Sequence, residues 1–272
     1  MHIHLPLMIR HGPLDVAFAP HLPKSIQSAV LASLPDPAHP IIRDDAEVLK
    51  CARQRLVLRL PVADLPGGSC IAKLFPLRNP ISRLKHRKYA LCEYQNYLAA
   101  HTLRMDAPMV WAFFQHRRFG FVAGSGLLVE DLRHYHDVVA LAAESGDYPA
   151  SALAAIPALK KLYSLGINHV DARDENILIA LGSEDGCDFR VIDWQYAAFC
   201  EPRADWLLEH LAAYFIRMAP SCERKRLLCE WLAALHLAAA PPILSLTALT
   251  NRVVRLLTTR PSTRARLALA AA

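Results

Sequence analysis

Apolar and polar positions alternate with two different rhythms along this chain. Arg55-Leu56-Val57-Leu58-Arg59-Leu60 and Cys70-Ile71-Ala72-Lys73-Leu74-Phe75 are apolar runs of strand length, separated by the turn signal Pro66-Gly67-Gly68-Ser69. They predict an antiparallel pair. Over 83–101 the spacing lengthens: Leu84, Leu91 and Leu98 recur every seventh residue and predict a helix. Short strands are predicted over 110–114 and 119–122, and Gly126-Leu127-Leu128-Val129-Glu130 is a third apolar run. Helical spacing then dominates. A helix is predicted over 151–165, kinked at Pro157 and closed by Gly166. Strands over 177–181 and 189–194 flank the polar turn 182–186 as a hairpin, and helices are predicted from Trp206 to about Ala239 and over roughly 244–257. Pro6, Pro13, Pro20, Pro23, Pro35, Pro37 and Pro40 crowd the first forty residues, which predicts an irregular arm there.

A sheet-rich first half and a helix-rich second half make an α+β chain of two lobes. The arm takes residues 1–40, a small β-rich N-lobe with one helix takes 41–129, and a larger helical C-lobe takes 130–272. The 272 residues are enough for a real core, and 53% hydrophobic against 21% charged residues excludes wholesale disorder. Net charge is +6, which favours anionic partners. Arg78, Arg83, Lys85, Arg87 and Lys88 form one basic cluster, and Arg252, Arg255, Arg260, Arg264 and Arg266 another. The seven cysteines are odd in number and form no CxxC pair, which reads as reduced thiols in a cytoplasmic protein. The opening MHIHLPLMIRHGP is not patterned as a signal peptide, and no apolar run reaches the roughly 18 residues of a membrane span.

Chemistry concentrates in His169-Val170-Asp171-Ala172-Arg173-Asp174-Glu175-Asn176-Ile177-Leu178, which fits H-x-D-x-x-x-x-N before an apolar strand, and in Val191-Ile192-Asp193-Trp194 downstream. The pair resembles the catalytic and metal-binding loops of the protein-kinase-like superfamily. That resemblance implies the bilobal protein-kinase-like fold, with ATP and Mg²⁺ as cofactors. It implies that Asp171 accepts the acceptor hydroxyl's proton, that Asn176 and Asp193 give Mg²⁺ the hard oxygens it prefers, and that Arg173 neutralises the moving phosphoryl group.

The first half carries matching partners. Lys73 shares a strand face with Ile71 and Phe75, and Glu93 follows on the next helix, where a kinase places the acid that pairs with its lysine. Glu130-Asp131-Leu132 resembles a kinase hinge, so Glu130 and Leu132 are the expected adenine-binding positions, through backbone more than side chain. The order of the lysine strand, the basic segment 78–88, Glu93-Tyr94-Gln95-Asn96-Tyr97-Leu98, Ala107-Pro108-Met109-Val110 and Leu127-Leu128-Val129-Glu130 resembles the lipopolysaccharide core kinases, the Kdo and heptose kinase family. Together with the catalytic loops the likeness covers roughly residues 45–210. It implies an anionic glycolipid acceptor, the lipopolysaccharide inner core, and peripheral contact with the inner face of the inner membrane. No nucleic-acid partner is expected, since no reading motif accompanies the charge.

The sequence departs from common kinases in several ways, and Val170 and Arg173 are among the residues that differ. No GxGxxG precedes Lys73, Trp194-Gln195 follows Asp193 where Phe-Gly is usual, and no Ala-Pro-Glu segment follows. The aminoglycoside and choline phosphotransferases are the second resemblance, through Val191-Ile192-Asp193-Trp194 and Asp205-Trp206, with Glu201, Asp205 and Glu209 as acids for a cationic acceptor. A non-catalytic pseudokinase is the third.

Overall fold

Both apolar runs around the Pro66–Gly68 turn are strands in the computed structural model, which describes residues 7–52, 55–79, 86–180, 188–239 and 244–259. The chain divides into two compact units. One holds Met1–Ala99 with Pro108–Leu132, the other Ala100–Ala107 with Arg133–Ala272.

The first unit is built on one antiparallel sheet of seven strands. They are β1 (Ile9–His11), β2 (Leu14–Phe18), β3 (Glu47–Ala52), β4 (Arg55–Pro61), β5 (Ser69–Pro76), β6 (Val110–Arg118) and β7 (Phe121–Glu130), in the spatial order β1-β2-β6-β7-β5-β4-β3. Helix α1 (Lys24–Ser33) brings Ala29 and Val30 into a buried cluster with Leu58, Cys70, Leu74 and Phe114 on one sheet face. Helix α2 (Tyr89–Thr102) serves the other face, where Tyr94 meets Phe113 with ring centroids 5.9 Å apart and Tyr89 meets Phe75 edge-on. Each large aliphatic side chain buried this way contributes about 1.5–3 kcal/mol.

The arm expected over residues 1–40 is therefore partly ordered structure: β2 lies inside the sheet between β1 and β6, and α1 covers a face. The prolines punctuate elements here instead of interrupting them. Pro13 sits in the β1–β2 turn, Pro20 follows β2, Pro23 is the residue before α1, and Pro35 comes just after its end. Proline's fixed φ and missing N–H are harmless at such boundaries. The strand expected over 119–122 is also corrected: Phe119 and Gly120 form a turn with positive φ, and Phe121–Glu130 is one continuous strand that includes the run 126–130.

The second unit is mainly helical. It contains β8 (Tyr135–Asp137), α3 (Val138–Ser145), α4 (Tyr148–Leu153), α5 (Ile156–Ser164), β9 (Ile167–His169), β10 (Ile177–Ala180), β11 (Phe189–Val191), β12 (Ala197–Phe199), α6 (Leu207–Met218), α7 over 224–238 and α8 (Leu246–Thr258). Caps fix several starts: Asp137 accepts from the Ala140 N–H, Asp147 from Ala150 and Ser245 from Ala248. The helix expected over 151–165 is two, broken at 154–155 ahead of Pro157, because proline favours the first turn of a new helix over the interior of an old one. The helices expected from Trp206 to about Ala239 are α6 and α7, parted around Pro220. Residues 227–231 of α7 form a π-helical turn, and its Trp231 stacks on Phe215 at 4.6 Å and donates its indole N–H to the Ala152 carbonyl at 2.9 Å. Two-stranded β9–β12 and three-stranded β11-β10-β8 frame the polar loops. The expected turn 182–186 lies outside the described residues, as do Arg83, Lys85, Arg260, Arg264 and Arg266 of the basic clusters. Among the described residues no helix is long and apolar enough to cross a membrane.

Candidate active site

In the first unit the sheet delivers Lys73 and the helix delivers Glu93. Lys73 lies mid-strand in β5, opposite Val57 on β4 and Leu127 on β7. Its ammonium meets the Glu93 carboxylate at 2.5 Å, and both are buried, at 5% and 0% exposure. The ammonium also lies 5.9 Å from the centre of the Tyr97 ring, one helical turn on. Glu93 Oε2 is buried with no hydrogen-bond partner among the described residues. A buried carboxylate with one oxygen unused is poised to hold its lysine, and leaves a place for a further donor.

Glu130 and Leu132 stand at the end of β7 and just beyond it. The Glu130 side chain is engaged locally: Oε2 accepts from the Met109 N–H at 2.9 Å, and the Glu130 N–H donates to the Met109 carbonyl at 2.8 Å. Sequence reasoning named no role for their neighbour Asp131, whose side chain is 3% exposed. It accepts from the Ser69 hydroxyl at 2.6 Å and from Arg59 Nε at 2.9 Å, tying the end of β7 to β5 and β4. Burial and the Asp131 charge together push the adjacent Cys70 thiol up to about 12, so it stays protonated and inert. The signal available in the sequence was an acid directly after an apolar strand, which alone does not distinguish a surface residue from a clamp.

In the second unit the loop that follows β9 is built from short local bonds. Ala172 N–H donates to the His169 carbonyl, Arg173 N–H to Asp171, and Asn176 N–H to Arg173. Gly166 sets up the entrance, with φ +69°, and a Cβ there would collide with the Cys200 carbonyl, whose own residue pairs with Gly166 as β9 meets β12. The loop brings together Asp171, Arg173 and Asn176. Arg173 Nε is 3.5 Å from Asp171 Oδ1, and its NH2 reaches Glu175 Oε2 at 2.8 Å. The Asn176 side-chain N–H₂ donates to the Asp171 carbonyl at 2.8 Å, which turns the amide oxygen away from that carbonyl.

Asp193 arrives from the other strand of the β10–β11 pair. Ile177 is opposite Val191, and the Ile192 N–H donates to the Asn176 carbonyl at 3.0 Å, so the residues before β10 and after β11 adjoin. Asp193 takes left-handed φ/ψ of 65° and 54°, a conformation an aspartate adopts at some cost and one that recurs at functional positions. Trp194 beside it is fully buried and donates its indole N–H to the Val191 carbonyl at 2.7 Å. His169 packs edge-on against Trp194 at 5.0 Å. Desolvation drives its pKa down against the opposing pull of Asp171, Asp193 and the Ile192 carbonyl, so this imidazole is neutral at pH 7. Asp174, within the motif's variable positions, is buried and accepts from the Tyr148 hydroxyl at 2.8 Å and the Glu175 N–H at 3.1 Å, which pins the loop to α4. Burial and that carboxylate push the Tyr148 hydroxyl upward.

Asn176 and Asp193 together offer the oxygen donors that Mg²⁺ takes, and Mg²⁺ characteristically completes its shell with water and substrate phosphates, so a pair of protein ligands fits that ion. The acids of the second resemblance are less available as a set. Glu209 is 5% exposed and accepts from Arg252 NH1 at 3.1 Å, whereas Glu201 and Asp205 are exposed.

No protein-family model matches the sequence, and no curated protein matches it. Among solved structures the chain is similar to WaaP, determined in complex with acyl carrier protein, with a TM-score of 0.50, 17% identity, and coverage of 86% of this chain and 92% of that one. Solved chains that match number 765, a breadth that identifies an architecture, not an activity.

Proposed function

We propose that this chain, which has a protein-kinase-like fold, is an ATP- and Mg²⁺-dependent phosphotransferase whose acceptor is a sugar hydroxyl of the lipopolysaccharide inner core. The observation that carries the reading is the buried Lys73–Glu93 pair. Two charges withdrawn from water repay their desolvation poorly as stability, so a buried lysine held by a buried carboxylate is better understood as a positioned phosphate ligand. The Glu93 carboxylate orients the Lys73 ammonium, and the Asp171 carboxylate accepts the proton of the acceptor hydroxyl. Arg173, held beside Asp171, places positive charge near the transferring group. The Asn176 amide oxygen and the Asp193 carboxylate hold Mg²⁺, which when bound offsets phosphate charge. Backbone groups of Glu130 and Leu132 meet adenine, with Asp131 fixing their position.

For the acceptor, three observations support the glycolipid. The order of segments around Lys73 resembles the lipopolysaccharide core kinases. The fold is similar to that of WaaP. The pairing of Glu209 with Arg252 removes one acid from the set a cationic acceptor would use. The site of action under this reading is the cytoplasmic face of the inner membrane.

The test is transfer of radiolabelled phosphate from ATP with Mg²⁺, offering purified lipopolysaccharide core beside aminoglycosides and choline. Label on the core glycolipid, lost in Asp171→Ala while the melting temperature holds, is the expected result. Label only on a small cation would move the chain to the aminoglycoside and choline kinase type. ATP binding with no transfer to any acceptor would make it a pseudokinase.

A further inference from the structure

The β6–β7 hairpin carries a turn whose sequence contradicts its geometry. Arg118 pairs with Phe121, leaving Phe119 and Gly120 as the two central residues, with φ of +51° and +79°. Positive φ at both positions is what a type I′ turn requires, and asparagine followed by glycine is the sequence that satisfies it. Here a phenylalanine occupies the asparagine position, where a bulky side chain is a backbone outlier. The ring gains little packing in return: Phe119 is 87% exposed and Phe121 69%. The Arg118 guanidinium, 5.4 Å from the Phe119 ring centre, is its neighbour. An unfavoured backbone and two bared rings at one apex serve something outside the chain.

The surroundings indicate what that is. Arg117 and Arg118 flank the turn on the β6 side, and both are exposed. Register carries the same end of the sheet across β6, β2 and β1, since Gln115 lies opposite Asp15 and Asp15 opposite Arg10. On the other side Leu77 N–H donates to the Ala123 carbonyl, so the chain leaves β5 beside β7 and leads at once to exposed Arg78. Asp15 is the acid among these arginines, and it is shared, at 2.8 Å from Arg10 and 3.1 Å from Arg117. A second acid, Asp36, faces His116 at 2.9 Å. Two aromatic rings at the crest of a hairpin, with guanidinium groups just behind, form a convex element. Rings at a crest suit the apolar–polar boundary of a bilayer, and the arginines behind them suit anionic headgroups at the same depth. A protein partner would have to supply a pocket of matching concavity. We infer that the β6–β7 hairpin tip docks the protein on an anionic lipid surface, with Phe119 and Phe121 entering the interface and Arg10, Arg78, Arg117 and Arg118 meeting lipid phosphates.

This inference stands on the first unit alone and does not depend on the phosphotransfer reading. Its test is sedimentation of the full chain with phosphatidylglycerol–phosphatidylcholine vesicles and with phosphatidylcholine vesicles. The wild type is expected to pellet with the anionic vesicles and several-fold less with the neutral ones, and to be released by salt. Phe119→Asn combined with Phe121→Ser is expected to lower anionic partitioning by about tenfold or more. The melting temperature should hold or rise, because asparagine suits the turn. Arg117→Gln with Arg118→Gln should lower the preference for anionic vesicles several-fold, Arg10 and Arg78 remaining. Phosphate transfer to a lipid-free core oligosaccharide, measured on the same variants, keeps the two readings apart and should be unchanged. A wild type that ignores anionic vesicles, or a phenylalanine variant that binds them equally well, would overturn the inference.

Discussion

Cutting the Lys73–Glu93 pair from one side and from both sides should give opposite results. Both groups are almost wholly removed from water, and the Nζ–Oε1 distance is 2.5 Å. Glu93→Ala leaves the ammonium buried without its carboxylate, which costs about 3–5 kcal/mol. For a chain of this size each kcal/mol shifts the melting temperature by roughly 2–4 °C, so a fall of about 6–20 °C is expected. The intact pair is itself a poor stabiliser. Its desolvation offsets most of the Coulombic gain, and the partnerless Glu93 Oε2 adds a penalty of about 1–3 kcal/mol. Lys73→Met combined with Glu93→Leu removes both charges and fills the space with apolar atoms, so the double variant should melt near the wild type, or above it by about 1–4 kcal/mol of stability. Phosphate transfer should be lost in both variants. Thermal denaturation followed by circular dichroism, paired with the radiolabel assay, reads both quantities. If the double variant melts as low as Glu93→Ala, the pair is a folding contact and the argument from its burial fails; retained transfer in the double variant would remove Lys73 from the machinery.

Two more expectations follow from local geometry. Asp131→Ala should cost about 2–4 kcal/mol, since Ser69 and Arg59 lose a buried, charged acceptor, and should weaken ATP binding measured by calorimetry; an unchanged melt would show that Glu47 alone suffices for Arg59. Partial burial pushes the Asp36 carboxyl up, but the Ala38 N–H and the His116 imidazole outweigh it and hold the group below its usual range. A depressed folded value adds stability that is complete above the unfolded pKa of about 3.9 and is lost as pH falls through the folded value. Asp36→Asn should therefore melt below wild type near neutral pH, with the gap closing in acid; a gap constant with pH would refute the assignment.

The placement of the candidate residues that sit in a local frame was legible in the sequence. Lys73 announced itself as a charge inside an apolar strand, and Glu93 through its place on the next helix. Asp171, Asn176 and Asp193 stood in a strand–loop–strand pattern that the β10–β11 register reproduces. What failed depended on partners distant in sequence. Nothing local says that Leu14–Phe18 pairs with β6, since a five-residue strand flanked by prolines reads as a broken segment until its neighbour is known. An aromatic residue such as Phe119 favours extended backbone, whereas the turn between β6 and β7 imposes a positive φ on it. Asp131 has no side-chain role legible in the sequence because Ser69 and Arg59, which it holds, are 62 and 72 residues away.

The placement of β2 also bears on how the chain is made. The partner of Leu14–Phe18, Ala112–His116, is synthesised about 100 residues after it, a delay of roughly 5–20 s at ordinary translation speeds. During that interval α1 can pack only on β4 and β5, while β2 lacks the strand it pairs with and presents an open edge. The order of synthesis thus leaves β2 dependent on chaperones until β6 arrives, and slower translation between β2 and β6 would lengthen that exposure.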